Sequence, residues 1–387
     1  MSKEKRLELI EWIQEKRNSY VITYILSDRP NVEGNISPDA VREMYNLLCE
    51  LKPFDKKKEL DLFICARRGD NAVPWQIAGM IRELFSRFNV IVPYKAHSAA
   101  TMIALGADKI IMGERGELSP IDIAVTYPQN ARELGLAEGV HVNMEDVTAL
   151  ISLLESIGKI REKQRIDAFL RTAEKFPPLF LGSMNKAVEQ AKTDCLKLLK
   201  SRKRRFGPRA NKKIIRKLFS DFSSPHRCIS RSEAIKELGL KQVKQDEELE
   251  PVFWELFTLY EGSLRTNEPF YPEAAMDQSH EEEIVFREHK LAYLETTKRT
   301  RTFQHDVKLK KVRQYPPSIQ FDPQITLPSF HIPSELQVTD ESVLAFIQQW
   351  LESNLPGLID ACFDKLRRNF PVSAYERLDF NKRWVDE

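Results

Sequence analysis

The stretch from Val90 to Asp108 constrains the fold more than any other. An apolar run (Val90-Ile91-Val92-Pro93) is followed by a short polar turn, then by the small-residue segment Ser98-Ala99-Ala100-Thr101-Met102-Ile103-Ala104-Leu105, and then by a second apolar run from Asp108 to Met112. Apolar runs too short for buried helices, separated by helical segments, predict parallel strands with covered faces. The same alternation extends upstream. Residues 4–17 read as a helix, 20–26 as a buried strand, 60–66 as a strand, 74–88 as a helix, 89–93 as a strand and 98–106 as a helix. Ser37 reads as an N-cap with Pro38 at the first helical position, and Val41, Met44, Leu47, Leu48 and Leu51 mark one helical face. An α/β core follows.

Ser98 falls at the junction of strand and helix. Free N–H groups and the helix dipole there favour negative charge, the setting an acyl-transfer nucleophile needs. The bland alternative is an N-cap, a role serine fills well. Two features weigh against capping alone. Ala99, Ala100 and Thr101 are small and permit close approach, and Ala66-Arg67-Arg68-Gly69-Asp70 upstream is a strand end with a glycine turn that offers a second amide donor.

Bulk properties narrow the class. The 387 residues carry 59 Lys+Arg against 57 Asp+Glu, a net charge of +2, which argues against a general nucleic-acid binder. No apolar run reaches the roughly 18 residues of a membrane span, and the charged N-terminus does not resemble a signal core. Five scattered cysteines without a CxxC pair point to reduced thiols and a cytoplasmic setting. The seven histidines show no metal-ligand spacing, and no nucleotide-binding loop is present, so neither metal nor organic cofactor is expected.

Beyond residue 144 the chain reads as mostly helical, clearest at Met144–Gly158 and Ser183–Lys203. Ser230 and Glu233 have capping-box spacing and Gly239 closes that short helix. Residues 262–285 read as loop, 290–313 as strands, 314–336 as a Pro-rich linker and 340–369 as amphipathic helices. The domain expectation is a core over 1–245, a mixed extension over 246–313, the linker, and a helical appendage over 337–387. The segment Lys197 to Lys217 is rich in Lys and Arg and has no acidic residue. It reads as a solvated face or a surface for a partner protein before it reads as a nucleic-acid site, and the apolar stripes of the C-terminal helices are a second candidate surface.

Leu60–Trp75, Ile91–Asp108, Gly113–Asp122 and His226–Leu240 together resemble the serine dehydrogenase proteinase family, relatives of Clp-type proteases and of signal peptide peptidase A. The likeness runs over roughly residues 18–245. It implies a Clp/crotonase-like spiral of strand–strand–helix units, assembly into a homo-oligomeric ring, and peptidase action on polypeptides. It implies Ser98 as nucleophile and the amides of Ala99 and Gly69 as oxyanion hole. Related enzymes carry Gly-Gly where this chain has Arg68-Gly69, and a left-handed requirement at position 68 would distort that hole. The base is left open between His226, in a turn where relatives also carry histidine, and Lys186, on a helix; Asp122 is a candidate to orient it. His97 adjoins the nucleophile but is expected to point elsewhere. A non-catalytic scaffold is the main alternative, and an acyl-CoA enzyme on the same fold, which does not need Ser98, comes after it.

Overall fold

The computed structural model describes residues 2–52, 54–55, 58–127, 140–143, 153, 166, 178–221, 227–314, 341, 344–350, 352–357 and 370–387. The described elements run in the order α1 (Ser2–Arg17), β1 (Ser19–Leu26), β2 (Asp28–Arg29), β3 (Val32–Glu33), α2 (Pro38–Glu50), β4 (Glu59–Cys65), α3 (Val73–Leu84), β5 (Phe88–Val92), β6 (Lys95–Ala96), α4 (Ala99–Leu105), β7 (Lys109–Met112) and β8 (Glu117–Leu118). They continue with β9 (Ala124–Tyr127), β10 (Val140–Asn143), α5 (Pro178–Ser201), α6 (Pro208–Arg216), the π-turn Lys217–Asp221, β11 (Ile229–Ser230), α7 (Arg231–Lys236), β12 (Val243–Lys244), α8 (Glu250–Leu264), α9 (Pro272–Gln278), β13 (Glu283–Glu295), β14 (Thr300–Arg313) and β15 (Val372–Asp386).

Two compact units result. The first comprises Met1–Phe270, Glu288–His305 and Lys382–Glu387. Its large sheet has the order β12-β7-β5-β4-β1, extended by this unit's parts of β13, β14 and β15. The pairs β1–β4, β4–β5, β5–β7 and β7–β12 are parallel, while β13 joins β1 antiparallel with Thr23 opposite Glu295. Both faces are covered, which is why the strands are apolar without alternation. Leu60, Leu62 and Ile64 of β4 pack in one core with α2, α3, α4 and α5; Phe63 and Cys65 pack in the other with α1 and α8. The chain is thus an α/β protein, as its sequence predicts.

A second, small sheet sets the site. Its order is β11-β8-β6, and bridges Ile36–Gly69 and Ala66–Ala96 continue the same layer. The chain repeatedly runs along a long strand, crosses into this short layer, and then enters a helix: β4, the Gly69 bridge, α3; then β5, β6, α4. Ser98 leaves the short layer at the end of β6.

The second unit comprises Tyr271–Arg287 and Asp306–Asn381. It contains α9 and is tied internally by Arg313 to Glu282 at 2.7 Å and by Asn381 Nδ2 donating to Asp306 Oδ2 at 2.9 Å.

Three expectations are corrected. The helix read over 74–88 ends at Leu84, because Phe85 is already extended on its way into β5. The segment 262–285, read as loop, holds the last turn of α8, the helix α9 with Pro272 at its start, and the beginning of β13. The helical C-terminal appendage ends in a strand: Val372–Asp386 is β15, where Trp384 stacks against Phe303 at 5.2 Å and donates Nε1 to Asp39 at 2.6 Å. Its interspersed charges conceal a strand whose residues are mostly solvent-facing. The expected helix Met144–Gly158, the linker over 314–336 and the stripe at 358–366 lie almost entirely outside the described residues.

A charged residue of β4 sits inside the sheet. Asp61 of β4 is fully buried and accepts from Arg17 Nε at 2.5 Å, Ser19 Oγ at 2.9 Å and Asn89 Nδ2 at 2.8 Å. Removing Asp61 leaves Arg17 with only its second carboxylate, Asp246 at 2.9 Å, and takes a buried acceptor from Ser19 and Asn89. Asp61→Ala is expected to lower unfolding free energy by about 3 kcal/mol in urea titration, whereas Glu8→Ala, which breaks the exposed Lys5–Glu8 pair, is expected to change it by less than about 0.5 kcal/mol. Equal effects would contradict this assignment.

Candidate active site

Ser98 occupies a backbone conformation that side chains rarely adopt, φ 48° and ψ −110°. Such residues persist only where their surroundings over-determine them, at a cost of about 1–3 kcal/mol. The surroundings do so here. On one side His97 N donates to Ala66 O at 2.9 Å. Ser98 N donates to Ser119 Oγ at 2.8 Å. On the other side Ala100 N reaches His97 O at 2.9 Å and Met102 N reaches Ser98 O at 3.0 Å. Buried Thr101 locks the frame by donating Oγ1 to Ala96 O at 2.6 Å and accepting from Ser119 N at 3.1 Å.

The capping reading can be judged directly. Ser98 stands at the N-cap position, but its side chain makes no capping hydrogen bond. It is half-buried rather than enclosed. At Ser230, by contrast, the complete capping box with Glu233 is present.

Gly69 lies against the start of α4. A Cβ placed on it would stand 2.4 Å from Ile36 Cβ and 3.1 Å from Ala99 Cβ, so no larger residue fits without a shift. The bridge to Ile36 uses the flanking groups: Ile36 N donates to Arg68 O and Asp70 N donates to Ile36 O. In a parallel bridge of this kind the N–H of Gly69 itself points away from Ile36. Ala99, first in its helix, has an amide with no carbonyl one turn back to bond. Neither Arg68 nor Gly69 has a positive φ. The turn therefore requires glycine at 69 for close packing and makes no left-handed demand at 68, so the departure from Gly-Gly leaves this turn undistorted.

A cleft of about 390 Å³ borders this turn, lined among others by Gly69, Asp70, Ile123, Ala187, Ala191 and Asp194. A larger cavity of about 570 Å³ at Gly113, Arg115, Glu250 and Trp254 contains none of the candidate residues. Asp122 is half-buried in the loop after β8, next to Ile123. Lys186 is exposed on α5, without the burial a general-base lysine requires. His226 lies outside the described residues. Cys228, two positions on, is described and enters the site: β11 pairs with β8, and the His97, Glu117 and Cys228 side chains meet. The His97 ring thus turns to Glu117, with Nε2 3.0 Å from Oε1, as its position beside Ser98 led one to expect. Burial pushes the Glu117 carboxyl up, but His97, Cys228 and Lys95 outweigh it and hold it below the usual range. The hydrogen bond to Glu117, with burial, pushes the Cys228 thiol up to about 11.

The basic run does not form one uniform patch. Arg202 is buried over the Phe206 ring, and desolvation pushes it down to about 10 despite the nearby Asp108 carboxylate. Lys197 pairs with Asp194 at 2.9 Å and Lys217 with Glu237 at 3.8 Å.

The strained turn at Ser98 and the Gly69 turn both fall in a segment that matches a known family. Residues 1–148 match the ClpP-like SDH-type serine proteinase family. The match spans α1 through β10 and so contains Gly69, Ser98, Ala99 and Asp122. An uncharacterized protein of Methanocaldococcus jannaschii, MJ0137, is 34% identical over 122 residues, which are 30% of this chain and 42% of that protein. A second uncharacterized protein of the same organism, MJ1495, is 24% identical over 243 residues, 61% of this chain and 71% of that protein. The chain thus spans less than half of the first relative. No described helix is long and apolar enough to cross a membrane.

The strain at Ser98 makes a prediction that a simple cap does not. Ser98→Gly is expected to stabilise the protein by about 1 kcal/mol, since glycine adopts this conformation without cost, and Ser98→Ala to change stability by less than about 0.5 kcal/mol. Thermal unfolding measures both. Loss of about 1 kcal/mol in Ser98→Ala would restore the capping role.

Proposed function

We propose that the protein is a serine peptidase in which Ser98 attacks the carbonyl of an extended polypeptide bound along the Gly69 turn. The observation that carries this reading is the positive φ of Ser98, held by hydrogen bonds on both sides while its own hydroxyl caps nothing. Backbone strain of that kind concentrates at functional sites.

The chemistry follows from the groups present. As Ser98 Oγ bonds to the carbonyl carbon, its proton passes to a base and the carbonyl oxygen takes on negative charge. The Gly69 and Ala99 amides donate to that oxygen, and the positive end of α4 adds to their effect. The proton then goes to the departing amine, leaving an acyl ester on Ser98. Water, deprotonated by the same base, hydrolyses the ester and restores the hydroxyl.

Histidine at 226 is the base in this proposal. Its support is indirect: the chain two residues later lies beside His97, the neighbour of the nucleophile, while Lys186 is exposed. Asp122, half-buried in the family-matched segment, is assigned to orient that base. Assembly into a homo-oligomeric ring belongs to the same proposal.

Fluorophosphonate labelling of the full chain tests this reading. Wild type is expected to take one label on Ser98, located by peptide mass spectrometry, and Ser98→Ala none. His226→Ala is expected to slow labelling by at least about 100-fold, with Lys186→Ala unchanged. A label on another serine, or a wild-type assembly that stays unlabelled, would overturn the assignment.

A further inference from the structure

Three side chains with metal-binding atoms meet where the three strands of the small sheet converge. β6 runs parallel to β8 with Lys95 opposite Glu117, and β11 runs antiparallel to β8 with Ser230 opposite Glu117. His97 lies just after β6, Glu117 opens β8, and Cys228 lies just before β11. Far apart in the chain, the three are delivered to one end of the sheet by strand pairing alone. An imidazole nitrogen, a carboxylate oxygen and a sulfur lie within 4.8 Å of one another.

The geometry points to a divalent-cation site of the zinc class formed by His97, Glu117 and Cys228, with a fourth position open to water. Donors bound to one tetrahedral zinc, about 2.0–2.3 Å from the ion, stand roughly 3–4 Å from each other, so small rotations of these side chains bring all three into range. The donor set itself selects the metal. Thiolate and imidazole favour Zn²⁺ or Co²⁺ over the oxygen-seeking Mg²⁺ and Ca²⁺. A carboxylate and a thiolate together neutralise a dication, and the Cys228 proton is released to solvent when the metal–sulfur bond forms.

Two further observations support the site. His97 Nε2 is buried and makes no aligned hydrogen bond despite its 3.0 Å approach to Glu117. The nearby cations that would oppose a metal are engaged elsewhere: Lys95 and Arg67 both pair with Asp28, at 2.9 Å and 2.8 Å. The side chains that hold the ion would belong to the neighbour of Ser98 in sequence and to the segment that carries residue 226. Metal occupancy would therefore restrain both flanks of the proposed catalytic centre.

Titration of the reduced, chelator-treated full chain with Co²⁺ tests the site, with Zn²⁺ as competitor. One equivalent of Co²⁺ is expected to bind with a thiolate-to-cobalt charge-transfer band that Zn²⁺ abolishes. Cys228→Ser, an exposed substitution, should remove the band and weaken Zn²⁺ binding by at least about tenfold. His97→Asn and Glu117→Gln should weaken it similarly. Cys49→Ser should leave the band intact, and so should Ser98→Ala, which separates this site from the peptidase reading. Absence of a band in wild type, its survival in Cys228→Ser, or its loss in Cys49→Ser would overturn the proposal.

Discussion

The peptide unit at Ser98 is the constraint on which the rest of the site depends. A φ of 48° in a residue with a side chain is unfavourable in isolation. It is maintained because four separate backbone hydrogen bonds, from His97, Ser98, Ala100 and Met102, fix the chain before and after it. The four acceptors lie in three places: Ala66 at the end of β4, Ser119 just after β8, and His97 and Ser98 in the turn into α4. The strain is thus distributed over the junction of the two sheets. Its effect is to carry the hydroxyl out of a capping position while the first amide of α4 stays beside it.

The layered architecture explains why this junction exists. The large parallel sheet buries both faces, so its strands must end in loops that have somewhere to go. The short β11-β8-β6 layer receives them, and the bridges at Gly69 and Ala96 pass the chain from one layer to the other. Gly69 packs closely against Ile36 and Ala99 at this junction, which seats its turn at the start of α4. Small residues matter here for their lack of volume: a methyl at position 69 would already collide.

Much of this was legible in the chain. Continuous apolar runs such as Leu60–Cys65 and Val90–Val92 mark strands covered on both sides, and the small residues after Ser98 mark a helix that can be approached closely. The Ser230–Glu233 capping box was readable residue by residue, because it depends only on local spacing. What the sequence concealed was non-local. The strand Val372–Asp386 carries too many charges to show alternation. The helix Glu250–Leu264 covers the second core with Val252, Phe253, Leu256 and Phe257, yet the polar stretch that follows obscures its pattern. Ser119 and Thr101, which brace the turn at Ser98, are ordinary residues whose role arises only from strand register. His97, Glu117 and Cys228 have no spacing signal at all, since pairing of three short strands is what gathers them. The concern over Arg68 came from analogy and disappears once its backbone is seen to need no left-handed turn.

The central claim is that Ser98 Oγ and the amides of Gly69 and Ala99 converge on one carbonyl. A crystal structure of the protein with a peptide boronic acid tests it most directly, because a tetrahedral boronate reproduces the geometry of the intermediate. Boron bonded to Ser98 Oγ, with one boronate oxygen about 2.7–3.1 Å from both amide nitrogens, is the predicted result. A boronate bound to Ser98 whose oxygens meet neither amide, or one bound to a different residue, would contradict the account.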